Sequence, residues 1–99
     1  MKKIANKVTF KEKVLAVVRG IKEGEVVTYK SVAELAGAQG AARAVGTLMK
    51  NNYDPTVPCH RVVRSDGVVG DYNRGGKTKK IAILKKEGVK FNGEKVIFK

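Results

Sequence analysis

Two short helical segments joined by a glycine-bounded connector restrict the folds open to this chain more than any other stretch. Thr28 stands where a hydroxyl would cap a helix predicted over Tyr29–Ala36, and Gly37 ends it. Ala38-Gln39-Gly40 leads to a third helix running from about Ala41 to Asn51. Two helices joined by a three- or four-residue turn containing glycine form the helix-turn-helix pattern. The third helix opens Ala41-Ala42-Arg43-Ala44-Val45-Gly46, small residues around one long cation. Small residues let a helix approach a groove closely, and an arginine among them would project. They equally allow tight packing against a neighbouring helix, and spacing alone leaves both readings open. Gly46 in mid-helix costs about 1 kcal/mol relative to alanine, so its presence needs a reason of one kind or the other.

The flanking segments supply the rest of a small fold. Residues 1–8 read as a loose arm or a short strand. Thr9-Phe10-Lys11-Glu12 fits a capping box, and Phe10, Val14, Leu15, Val18 and Ile21 then follow helical spacing up to Gly20 and Gly24. Val26-Val27-Thr28 is a short extended piece. Arg61-Val62-Val63 and Val68-Val69, on either side of Ser65-Asp66-Gly67, are predicted to pair as a hairpin. A fourth helix over about Lys77–Glu87 would carry Ile81, Ile83 and Leu84 inward, with Gly88 as its stop. Asn92-Gly93 between Val89-Lys90-Phe91 and Glu94 to Phe98 predicts a second hairpin that covers an open side of the core.

Charge narrows the partners. The 99 residues, enough for one domain, hold 21 Lys+Arg against 9 Asp+Glu, a net charge of +12. A domain this basic usually meets a polyanion, the alternative being a solvated lysine-rich surface. One cysteine cannot form an intramolecular disulfide, so a reducing, cytoplasmic setting is expected. One Cys and one His are too few for a structural zinc site, and no metal or cofactor is expected. No apolar run approaches the roughly 20 residues that a membrane span needs. The basic start, Met1 to Lys7, is followed by no apolar stretch of a secretory signal.

That single cysteine and the single histidine are neighbours, in Pro58-Cys59-His60-Arg61-Val62-Val63. A nucleophile beside a base is the chemistry of covalent catalysis. The sulfur must be partly thiolate, and a free thiol, titrating at about 8.5, is mostly protonated at neutral pH. Adjacent residues of an extended chain point to opposite faces, so Cys59 and His60 would meet only if the backbone turned between them or a water bridged them, and the bridging water is the favoured reading. Glu87 falls in the last turn of its helix, where the dipole disfavours an acid. Either it is a solvated surface residue or it has a partner such as His60. The rival readings of the pair itself are a small buried cysteine and a hydrogen-bonded core histidine.

With these residues assembled, the chain resembles the O6-alkylguanine-DNA alkyltransferases. Pro58-Cys59-His60-Arg61-Val62 matches that family's signature. The likeness also covers the Tyr29 region, Ala42 to Gly46, Gly67 to Tyr72 and Lys80 to Gly88, about residues 9 to 89 in all. The resemblance implies a helix-turn-helix that enters the DNA minor groove and a damaged guanine flipped into a pocket. The alkyl group would pass from O6 to the sulfur of Cys59 in one irreversible displacement. His60 and Glu87 would form the water-linked relay that makes the thiolate, and Asn52 would brace the active-site turn. Tyr29 would help eject the base and donate towards its ring. Arg43 would fill the vacated place in the stack, while Ala41, Ala42 and Ser65 would lie by phosphates. Met49, Val62, Tyr72 and Asn73 would line the pocket, Asn73 standing where the family often has serine. Family members commonly carry an N-terminal domain, and this chain reads as the C-terminal active-site module alone.

The expectation is therefore an α+β domain, mostly helical, with a winged-helix-like helix-turn-helix and short β-hairpins. It would act as a monomer on double-stranded DNA carrying O6-alkylguanine, away from membranes. A lesion sensor without transfer is the alternative, since a related set of proteins lacks the cysteine. A helix-turn-helix regulator with an inert cysteine is a third reading. A cysteine hydrolase is a fourth, disfavoured because no oxyanion-hole motif is visible.

Overall fold

The computed structural model describes residues 9–70, 72 and 75–98, and its first element starts on a reciprocal cap. Helix α1 spans Phe10–Arg19. The Glu12 backbone N–H donates to Thr9 Oγ1 at 3.1 Å, and the Thr9 N–H donates to Glu12 Oε1 at 3.0 Å. Two of the orphan donors at the helix start are thereby satisfied. Val14, Val18 and Ile21 are buried, as their spacing predicts. The arm expected over residues 1–8 lies outside the described residues.

Strand β1, Val27–Thr28, runs directly into helix α2, Tyr29–Leu35. Thr28 Oγ1 accepts the Ser31 N–H at 3.0 Å and so caps α2. Gly37 follows with a φ of 82°, which only glycine adopts cheaply, and turns the chain towards helix α3, Ala42–Lys50. Helix α4 spans Gly76–Lys86. The helix-turn-helix is thus formed by α2 and α3, each within a residue or so of its predicted ends.

The sheets differ from expectation. Cys59–Arg61 is a 3-10 turn rather than the start of a strand, and β2 is only Val62–Val63. It pairs in parallel with β1, Val27 opposite Val62 and Thr28 opposite Val63. The predicted pairing of this segment with Val68-Val69 is therefore wrong. The tight turn between them does form, with the Gly67 N–H on Arg64 O at 2.9 Å and the Arg64 N–H on Val68 O at 3.0 Å. Val68, however, bridges to Lys95. The reason is burial: Val62 and Val63 are both wholly buried, and such a strand gains by covering two faces between helices, as parallel strands do. The second hairpin pairs β3, Phe91–Asn92, with β4, Lys95–Val96. Its turn is Gly93-Glu94, one residue later than predicted, because Asn92 stays in the ladder opposite Lys95.

Two apolar clusters result. One joins α1, α2 and α3 through Val14, Val18, Val32, Ala33, Val45 and Met49, and includes Val57, Cys59 and Val62. The other holds Val63, Val69, Leu84, Val89 and Val96 beneath the terminal hairpin. Each fully buried valine or leucine contributes about 1.5–3 kcal/mol. Helix α4 meets this second cluster with Leu84, while Ile81 and Ile83 are only half-buried. Lys80 takes the wholly buried place expected for an isoleucine. The β1–β2 pairing ties the start of α2 to the segment just after Cys59, and so fixes the helix-turn-helix against the cysteine turn. Among the described residues no helix is long and apolar enough to cross a membrane.

Candidate functional site

Pro58 sets the geometry of the cysteine. Its ring fixes φ at −78°, and with ψ at 66° it occupies an inverse γ-turn. The Cys59 N–H accordingly donates to Val57 O at 2.8 Å, and the Arg61 N–H donates to Pro58 O at 2.9 Å. The chain thus coils where an extended run was expected. In a turn of three residues per revolution, successive side chains project about 120° apart. Cys59 and His60 consequently serve different spaces. Cys59 lines a large groove that α3 borders, and His60 lines a smaller cleft with Arg19, Pro58 and Arg61. Tyr72 borders both, its ring edge-on to the imidazole with centroids 6.5 Å apart.

The histidine is held from behind. Its Nε2 lies 2.9 Å from Glu87 Oε2. Glu87 is the C-cap residue of α4 and is far from solvated, with 12% of its side chain exposed. Arg61 grips the same carboxylate with a two-pronged fork, Nε to Oε1 at 3.0 Å and Nη2 to Oε2 at 2.8 Å. The third arm of the guanidinium, Nη1, donates to Ile21 O at 2.9 Å, just beyond the end of α1. Burial pushes the Glu87 carboxyl up, but hydrogen bonds from Arg61 and His60, with their charges, outweigh it and hold it below its ordinary value. The hydrogen bond to Glu87 in turn raises Arg61. Of the two sequence readings of Glu87, the structure selects the partnered one.

The groove has a volume of about 1270 Å³, larger than the roughly 300–1,000 Å³ typical of small-molecule pockets. Its floor holds Cys59, 4% exposed, beside the buried Met49. Its borders carry the cations Lys30, Arg43, Lys50, Arg64 and Lys77. Asp66 is the one acid among the described lining residues, and it pairs with Arg64 at 3.2 Å. Arg43 is exposed on the groove side of α3, and Ser65 stands on the same border. No side chain caps α3, so the N–H groups of its first turn, near Ala41 and Ala42, are suited to an anion. A Cβ added at Gly46 would meet no heavy atom within 4 Å. Close helix packing therefore does not explain that glycine, which lines the groove.

The remaining predicted residues fall in different places. Tyr29, half-buried at the start of α2, lines the groove. Asn52 is half-buried, and its Oδ1 accepts the Asp54 N–H at 3.3 Å in the turn after α3. Val62 lies behind the cysteine in the first core cluster, wholly buried, instead of on the groove wall. Asn73 lies outside the described residues.

Two residues at the site carried no assigned role in the sequence reading. Arg61 was visible only as part of the cysteine motif. Lys80, 1% exposed, directs Nζ to the Tyr29 hydroxyl at 3.4 Å and 5.7 Å from its ring centroid. A signal for it existed: Lys80 lies one helical turn before Leu84 and so shares its inner face.

Residues 9–89 match the family model described as 6-O-methylguanine DNA methyltransferase, DNA binding domain. The methylated-DNA–protein-cysteine methyltransferase of Rattus norvegicus is 51% identical over 70 residues, which are 70% of this chain and 34% of that protein. The chain thus spans about a third of the length of that curated relative. Schizosaccharomyces pombe Atl1, solved with damaged DNA containing O6-carboxymethylguanine, superposes with a TM-score of 0.77 at 30% identity, covering 91% of this chain and 88% of that one. Mycobacterium tuberculosis OGT, solved with DNA, gives a TM-score of 0.74 at 39% identity, covering 79% and 48%.

Proposed function

This chain belongs to the 6-O-methylguanine DNA methyltransferase family, and on that membership we propose that it repairs alkylated guanine in DNA directly, taking the alkyl group onto Cys59. It would correspond to the C-terminal active-site module of its longer relatives and act as a single-turnover methylated-DNA–protein-cysteine S-methyltransferase. The observation that carries the reading is Cys59 on the floor of a cationic groove bordered by α3, with His60 and Glu87 hydrogen-bonded behind it.

The chemistry is one displacement. The Cys59 proton passes through a water to His60, whose imidazolium Glu87 stabilises. The thiolate attacks the alkyl carbon, the S–C bond forms and the C–O6 bond breaks. The guanine leaves with the electron pair and gains one proton, towards which Tyr29 donates. No electron is gained or lost overall, and no cofactor is called for. Arg43 fills the stack that the flipped base vacates, Ala41, Ala42 and Ser65 contact phosphates, and Met49 and Tyr72 line the pocket. Asn52 braces the turn before Cys59. A base must leave a duplex to reach such a sulfur, at a cost of a few kcal/mol that the basic groove offsets. The protein would act as a monomer in the cytoplasm.

Lesion binding without transfer is the second reading, supported by the match to Atl1 over most of both chains. Cys59 favours transfer. The two are separated by intact mass after mixing with duplex DNA bearing O6-methylguanine. A gain of about 14 Da, CH2 in net terms, supports transfer. Tight binding with unchanged mass supports the sensor.

A further inference from the structure

We infer that Arg61 is a positioning residue that keeps His60 available as a base by compensating the charge of Glu87. The inference rests on the transfer reading for its kinetic consequence, though its structural part does not. Glu87 Oε2 is shared: it accepts Arg61 Nη2 at 2.8 Å and lies 2.9 Å from His60 Nε2. A bare carboxylate at that distance would favour the imidazolium and hold the histidine protonated, useless for accepting a thiol proton. A guanidinium never loses its own proton, so Arg61 supplies a fixed positive charge to the same carboxylate. Glu87 then orients the imidazole while sharing its charge with the guanidinium.

The fork is locked at its far end. Nη1 donates to Ile21 O at 2.9 Å, so the guanidinium is tied to the end of α1 while it grips the end of α4. Both contacts are largely shielded, with 16% of the Arg61 side chain and 12% of that of Glu87 exposed. Among the described residues, few other groups surround His60. Cys59 adjoins it on the turn, Tyr72 meets its ring edge, and Arg19 of α1, paired with Asp54 at 3.3 Å, stands across the small cleft. Glu23, in the loop after α1, acts on Arg61 by charge alone. Arg61 is therefore the cation in direct contact with the carboxylate that faces the imidazole.

His60 is the only histidine in the chain, so NMR reports its titration without overlap. In Arg61→Met, the His60 titration midpoint should move up relative to the parent, because the carboxylate beside it loses its fixed cation. Arg61→Lys, which keeps a charge but not the fork, should recover most of that change, whereas a role in packing alone would make Lys and Met alike. If the methionine variant does not fold, Arg61→Gln is read in the same way. In single-turnover reactions with O6-methylguanine DNA, the acid limb of the rate profile should move with the midpoint, a loss of about tenfold per pH unit on that limb. An unchanged midpoint in a folded, uncharged variant overturns the inference. If the midpoint moves but the parent transfers no alkyl group, the transfer reading falls and the role of Arg61 stands.

Discussion

His60 Nε2 and Glu87 Oε2 are 2.9 Å apart across 27 residues of chain, one at the cysteine turn and the other at the end of α4. This contact, with Arg61 on its far side, ties the cysteine turn to the ends of α1 and α4. Glu87→Gln should slow alkyl transfer by about 100-fold, within the range for a positioned base. It should also cost about 3 kcal/mol of stability, because Arg61 keeps its charge without its partner. That loss is smaller than the 5–15 kcal/mol typical of a domain, so the variant should fold at 25 °C and permit the rate to be measured. Urea unfolding and quenched-flow mass spectrometry check the two numbers.

Acid should unfold the protein through the same residue. Glu87 lies below its ordinary value of 4.5 in the folded chain, the Arg61 and His60 contacts outweighing burial. The unfolded chain therefore takes up this proton first as pH falls. The stability from Glu87 is fully present above about pH 4.5 and is lost as the pH drops through the lower folded value. Urea midpoints at about pH 6 and about pH 3.5 should differ in the parent by more than they do in Glu87→Gln.

Arg43 is the exposed cation at the start of α3, on the groove side. Arg43→Ala should weaken duplex binding by about tenfold. Reaction with free O6-alkylguanine base should change little. Equal slowing with DNA and with free base would show that Arg43 acts on the chemistry and not on the duplex.

Two glycines make a matched pair of tests. Gly24 has φ 88°, and a Cβ there would stand 3.2 Å from the Glu87 carbonyl; Gly37 has φ 82° and open space. Gly37→Ala should cost about 1 kcal/mol of backbone strain. Gly24→Ala should cost about 1–2 kcal/mol more, since the Glu87 backbone must shift, and should slow transfer as well. Thermal melts and single-turnover rates distinguish them.

Local signals in the sequence were read correctly because they were local. The Thr9–Glu12 capping box, the Thr28 cap and the Gly37 stop each involve residues within a turn of one another. The parallel pairing of Val27-Thr28 with Val62-Val63 was not legible, because no short-range pattern distinguishes it from a hairpin with Val68-Val69. The γ-turn at Pro58 also escaped: proline fixes φ, while ψ comes from the packing of Val57 and Cys59. Cys59, His60 and Glu87 were legible as chemistry. Arg61 was not, because in a chain with 21 basic residues one paired cation looks like any other, and Lys80 was marked only by its place one turn before Leu84.

The most direct test is peptide-resolved mass spectrometry after one turnover with O6-methylguanine duplex, run beside Cys59→Ser. One methyl group per protein, about 14 Da, is expected on the peptide holding Cys59, and none on the serine variant although it still binds the duplex. A folded parent that binds the lesion and leaves Cys59 unmodified, or that carries the methyl group on another residue, would contradict transfer to Cys59.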